Sequence, residues 1–305
     1  MLHVQFWNDC VTIKTIFSFR ANNQISLMNK RYSILVIFCI SLFITFTCDV
    51  TFAATVDTVS TYSAAMNKQI KAVVVKPDAY AKLKDMPVVY LLHGAGGNYA
   101  NWINNVPEIK DLADQYQMMI VCADGNVTSW YFDSPVDKNW RYETYVATEL
   151  VNWVDTHYKT VKDRSQRGIV GLSMGGHGAL YLAFKHQDIF GVAGSTSGGV
   201  DFRPFPKNWR IAEKLGPYEQ NQEVWDKNTV INMIDMLTPG KLALMIDCGT
   251  EDFFYTVNLQ FHDKLLAQKI PHDFIVRPGA HNWAYWSNSI KYQLLFMHTY
   301  FTKKN

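Results

Sequence analysis

The chain of 305 residues is 48% hydrophobic and 14% aromatic, enough to bury one large α/β core. Its formal net charge of +2 resides in the first 53 residues, where Lys14, Arg20, Lys30 and Arg31 outnumber Asp9 and Asp49 by two. The remainder is neutral with interspersed charges, which gives no electrostatic basis for nucleic acid or an anionic membrane as partner.

The chain opens with a leader over residues 1–53. Met28-Asn29-Lys30-Arg31 is a basic segment, residues 34–46 form an apolar run, and Thr51-Phe52-Ala53-Ala54 suits signal peptidase. We read residues 28–53 as a signal peptide and 1–27 as an upstream extension, with residues 54–305 as a single catalytic domain. The competing reading is a membrane anchor, but the apolar run falls short of the roughly 20 residues that span a bilayer. The expectation is a secreted or periplasmic protein with no stable membrane insertion after leader removal. Cys10, Cys39 and Cys48 fall in the leader. Cys122 and Cys248 remain, each at the end of a predicted strand, and because those strands are not expected to be neighbours we read both as buried free thiols.

Two β-rich runs, 56–62 and 69–75, flank Met66-Asn67-Lys68 and predict an antiparallel hairpin. Short apolar runs at 87–92, 118–123, 168–172, 192–197, 242–248 and 273–277 have the character of buried parallel strands. Helical patterns lie between or after them at 143–157, 176–186, 255–268 and 287–300. Alternating strands and helices predict a doubly wound, mostly parallel sheet. Residues 199–237 lack a strand and read as an insertion over the C-terminal edge of the sheet, where such folds bind ligands.

The run Gly168-Ile169-Val170-Gly171-Leu172-Ser173-Met174-Gly175-Gly176 contains G-x-S-x-G between a predicted strand and a helix, the context of a nucleophile elbow. Ser173 needs a base and an acid that orients the base. His281 follows the run 273–277, and Asp252 follows the run 242–248, giving the chain order serine, acid, histidine. Asp252 lies out on its loop past Gly249, whereas Asp247 sits near the strand end and is expected to brace it. His157, His186, His262 and His298 fall on predicted helices, and His177 is a packing residue beneath the site.

A developing oxyanion requires preorganised N–H donors. Met174, directly after the serine, supplies one, and Ala95 in the loop Leu91-Leu92-His93-Gly94-Ala95-Gly96-Gly97-Asn98 the other. As a phosphate cradle this loop lacks G-x-G-x-x-G spacing and a following lysine. Among the aromatic residues near these loops (Trp102, Trp130, Tyr131, Trp140, Trp283, Trp286), Trp102 and Trp283 are the expected substrate-binding walls. No histidine–carboxylate spacing suggests a metal, and no cofactor is expected.

These motifs resemble the esterase D-type branch of the α/β-hydrolases. That branch includes S-formylglutathione hydrolases, tributyrin-type esterases, and the feruloyl and acetyl-xylan esterases of the first carbohydrate esterase family. The resemblance runs over residues 55–302 through Leu91-Leu92-His93-Gly94 with Gly97-Asn98 and Trp102, then Tyr142-Glu143-Thr144-Tyr145, Gly171 to Gly176, Cys248 to Phe253, and Pro278-Gly279-Ala280-His281. It implies an α/β-hydrolase fold, the triad Ser173, Asp252 and His281, and oxyanion donors Ala95 and Met174. With the leader, it implies a secreted serine esterase acting through an acyl-enzyme on acetyl or feruloyl esters of plant polysaccharide. The partner is then a small-molecule or polysaccharide ester, and no pattern in the chain encodes an oligomeric state. The alternatives are a general short-chain carboxylesterase, thioesterase or acyltransferase, or a non-catalytic carbohydrate-binding relative.

Overall fold

A central sheet of eight strands organises the molecule, in the order β1-β2-β4-β3-β5-β6-β7-β8. A computed structural model describes residues 53–303, so the leader lies outside the described residues except for Ala53. β1 (Thr55–Ser63) and β2 (Lys68–Lys76) form the expected antiparallel hairpin, and β2 joins the rest of the sheet antiparallel to β4 (Met119–Ala123). From there β3 (Val88–Leu92), β5 (Arg167–Leu172), β6 (Val192–Thr196), β7 (Ala243–Gly249) and β8 (Asp273–Arg277) run parallel to β4. β3 to β6 are buried along their whole length, which is why they read as uninterrupted apolar runs. This is an α/β-hydrolase fold.

Helices cover both faces. On one lie α1 (Asn101–Asn105), α2 (Ile109–Tyr116) and a long C-terminal helix. The other carries α3 (Tyr142–Thr144), a π-helical segment (Tyr145–Leu150), α4 (Val151–His157), α5 (Met174–Lys185), and later α8 (Tyr255–Ala267). The helix expected at 143–157 is therefore interrupted by a wider turn. It falls where the buried Tyr145 hydroxyl meets Thr61 Oγ1 of β1 at 2.8 Å. The C-terminal helix, α9 (Trp283–Thr302), begins four residues before the sequence pattern suggests, because the Asn282 side chain caps it by accepting the Tyr285 N–H at 3.1 Å.

Residues 199–237 contain no strand, only short helical pieces including α6 (Ala212–Leu215) and α7 (Gln222–Asn228). Arg203 fastens this insertion, bonding Asp201 at 2.7 and 2.9 Å and Asp226 at 2.6 Å. Cys122 on β4 and Cys248 on β7 are separated by β3, β5 and β6, and both are buried and free. Burial pushes the Cys122 thiol up to about 12 and raises Cys248 as well, so neither is a nucleophile at neutral pH. Among the described residues no helix is long and apolar enough to cross a membrane.

Candidate active site

Ser173 sits between β5 and α5 with φ +54° and ψ −118°, a conformation that non-glycine residues hold only when their surroundings impose it. Those surroundings are close-packed backbone. A Cβ at Gly171 would come within 2.3 Å of the Gly175 carbonyl oxygen, and one at Gly175 within 2.6 Å of the carbonyl oxygens of Leu92 and His93. Only glycine lets strand, turn and helix pass this closely. The Ser173 N–H donates to Thr196 O at 2.9 Å, tying the turn to β6.

The loops after β7 and β8 bring the other two groups to this serine. His281 Nε2 lies 2.9 Å from Ser173 Oγ, and its Nδ1 lies 2.8 and 3.0 Å from the Asp252 carboxylate oxygens. The carboxylate only accepts, so Nδ1 carries the ring hydrogen and Nε2 is left to accept from the serine hydroxyl. The Asp252 side chain is fully buried and also accepts the Phe254 N–H at 2.8 Å, which fixes its rotamer. Phe253 and Trp286 flank the imidazole, their ring centroids 4.3 and 4.9 Å from its own.

Opposite the histidine, the Gly94–Gly97 loop is held in place by a buried His93. That ring lies 2.8 Å from Gly94 O through Nδ1, and its Nε2 accepts the Gly125 N–H at 2.8 Å. Gly96 N–H donates to Val127 O at 2.8 Å, so two loops brace each other at the rim. Ala95 lines the cleft, and no acceptor among the described residues takes its N–H. Met174 is the first residue of α5, where a backbone N–H has no acceptor within the helix. The N-terminal end of α5 adds a favourable field for negative charge at this point.

The cleft above Ser173 has a volume of about 630 Å³. Among the described residues that line it, only His281 is titratable. The others are glycine, aliphatic or aromatic residues with Ser173, Asn101 and Thr128. Trp283 lines the cleft. Trp102 does not, and the expectation for it is corrected. It is 1% exposed, donates its indole N–H to Leu92 O at 3.0 Å, and packs edge-on against Trp283 at 5.3 Å. Its ring is core that supports the wall. Two of the aromatic lining residues, Phe253 and Trp209, have no binding role assigned from the sequence. Phe253 is signalled only by following Asp252 in an exposed turn, and Trp209 lies in the insertion without a periodic pattern to single it out.

Asp247 is buried at the end of β7, paired with Arg277 and accepting the Tyr285 hydroxyl at 2.5 Å. Burial raises its pKa, with Tyr285 and Arg277 pulling the other way. His177 is fully buried beneath the elbow, with Nε2 2.9 Å from Asn228 O, and burial pushes it down to about 4.

The family model described as "Putative esterase" matches residues 63–297. The chain belongs to this esterase family. Among relatives of this family member, an esterase of Mycobacterium tuberculosis is 27% identical over 237 residues, covering 68% of this chain and 51% of the relative. The acetyl esterase of Caldicellulosiruptor saccharolyticus is 24% identical over 221 residues, covering 68% of this chain and 81% of the relative. The chain thus spans about half the length of the mycobacterial relative. A solved ferulic acid esterase superposes with a TM-score of 0.71 at 28% identity, covering 82% of this chain and 100% of that one.

Proposed function

We propose that this family member is a secreted serine esterase that hydrolyses short-chain or hydroxycinnamoyl esters of plant polysaccharide. Ser173 Oγ attacks the ester carbonyl as His281 Nε2 takes its proton, and Asp252 holds the imidazole in the tautomer this requires. The N–H groups of Ala95 and Met174 receive the oxyanion. The protonated histidine then gives its proton to the alcohol oxygen as the C–O bond breaks, leaving the acyl group on Ser173. Water, activated by the same histidine, releases the acid and restores the serine.

The observation that carries this reading is the continuous hydrogen-bonded line Asp252–His281–Ser173, at 2.8 and 2.9 Å, at the base of a cleft lined almost wholly by uncharged residues. Such a cleft suits a neutral acyl group and a neutral alcohol. A glutathione thioester carries ionised carboxylates, and among the described residues no lysine or arginine lines the cleft to pair with them. Export rests on the basic and apolar leader pattern. The likeness to a ferulic acid esterase and an acetyl esterase supports the acyl classes named.

A fluorophosphonate probe tests the chemistry. Labelling of the wild-type protein at the peptide containing Ser173, lost in Ser173→Ala, is expected. Labelling that persists in Ser173→Ala would contradict the assignment.

A further inference from the structure

We infer that Trp209 and Phe253 form a platform for the alcohol part of the substrate, so that the insertion over residues 199–237 selects sugar esters by their leaving group. This rests on the serine-esterase reading of the cleft.

The chemistry fixes which half of the ester faces which wall. The acyl carbon must sit between Ser173 Oγ and the oxyanion donors. His281 Nε2 must then reach the departing alcohol oxygen to protonate it, so the alcohol lies on the histidine side of the cleft. The surface on that side is aromatic. Phe253 is 51% exposed although apolar, and its ring lies 4.3 Å from the imidazole. Trp209 lies beyond it, nearly parallel to Phe253 at 18° with a centroid separation of 6.1 Å, and both line the cleft. A sugar ring presents C–H groups to such faces and hydroxyls to water at an open mouth.

Trp209 is held for this position. It and Arg210 have φ of +50° and +55°, two consecutive non-glycine residues in the left-handed region. Such conformations persist only where the surroundings fix them, and they cluster at ligand-binding sites. Here Phe205 and Phe254 pack on the indole at 5.4 and 5.3 Å, and the Arg203 bonds to Asp201 and Asp226 fasten the segment below. The platform is thus preorganised, without charge, and beside the histidine that protonates the leaving group.

The test compares two esters that share one acyl group and therefore one acyl-enzyme: feruloylated arabinose and methyl ferulate. In Trp209→Ala and in Phe253→Ala, the ratio of kcat/KM for the sugar ester to that for the methyl ester is expected to fall about fivefold to tenfold, the worth of one good aromatic contact. Because both substrates use the same triad, any disturbance of His281 cancels in this ratio. The ratio of methyl ferulate to methyl acetate is expected to move less than twofold. Phe253 is exposed, so its variant keeps the test open if Trp209→Ala folds poorly. An unchanged sugar-to-methyl ratio in the folded variants would overturn the platform while leaving the esterase reading intact. So would collapse of the ferulate-to-acetate ratio alone, which would make the wall an acyl-side one. Wild-type protein inert toward all three esters would overturn both.

Discussion

Asp247 near the end of β7 and Asp252 on the loop after it are both buried, yet their partners divide their work: Asp252 bonds His281 at 2.8 Å, and Asp247 pairs with Arg277 and Tyr285. Asp252→Asn is expected to keep the fold and lower turnover by roughly 10⁴, because an asparagine favours the wrong imidazole tautomer. Asp247→Asn is expected to act on stability, since it leaves Arg277 without its buried counter-charge. Steady-state kinetics beside thermal unfolding of both variants separates them, and the reverse pattern would move the acid to Asp247.

Trp102 gives a second contrast. As buried core behind Trp283, Trp102→Ala is expected to cost about 3–5 kcal/mol of stability, whereas Trp102→Phe should keep much of the packing and lose the bond to Leu92 O. Urea unfolding measures the cost. A fully stable Trp102→Ala with altered substrate preference would return Trp102 to the pocket wall.

His177 sets an acid limit. Its folded-state pKa, about 4, lies below the ordinary value of 6.5, chiefly through burial, so the unfolded chain takes up a proton that the folded chain refuses. Stability from this group is whole above pH 6.5 and is lost as pH falls toward 4. His177→Gln is expected to flatten the fall of unfolding free energy across that window. An unchanged slope in the variant would show that His177 is not its source.

The acyl side yields a prediction of its own. The bulky ring of Trp283 borders the cleft, and the sequence shows no leucine-rich loop to line a tunnel. A properly accommodated methylene is worth about 0.8 kcal/mol, so a tunnel would make activity climb steadily with chain length. In the series from 4-nitrophenyl acetate to decanoate, kcat/KM is expected to peak at four carbons or fewer. A steady rise through decanoate would contradict this.

Much of this was legible from residues alone, for physical reasons. β3 to β6 are buried along their whole length and so read as plain apolar runs. Ser173, Asp252 and His281 stood out because each follows a predicted strand (β5, β7 and β8), and parallel strands deliver their following loops to one edge. Trp209 was hidden because its position depends on two left-handed residues in a segment without periodicity. The orientation of Trp102 was equally unreadable, since a tryptophan near a glycine-rich loop suits a wall or a core alike until α1 turns it inward. The π-helical turn at Tyr145–Leu150 was masked because one wider turn barely disturbs an apolar pattern of period 3.6.

If Ser173 is the nucleophile of an esterase, purified Ser173→Ala must lose turnover of 4-nitrophenyl acetate. The triad acts as a unit, so loss of the serine should lower kcat by a factor on the order of 10³ or more in a protein whose unfolding transition is unchanged. Wild-type turnover by Ser173→Ala, in protein free of other esterases, would rule Ser173 out as the nucleophile.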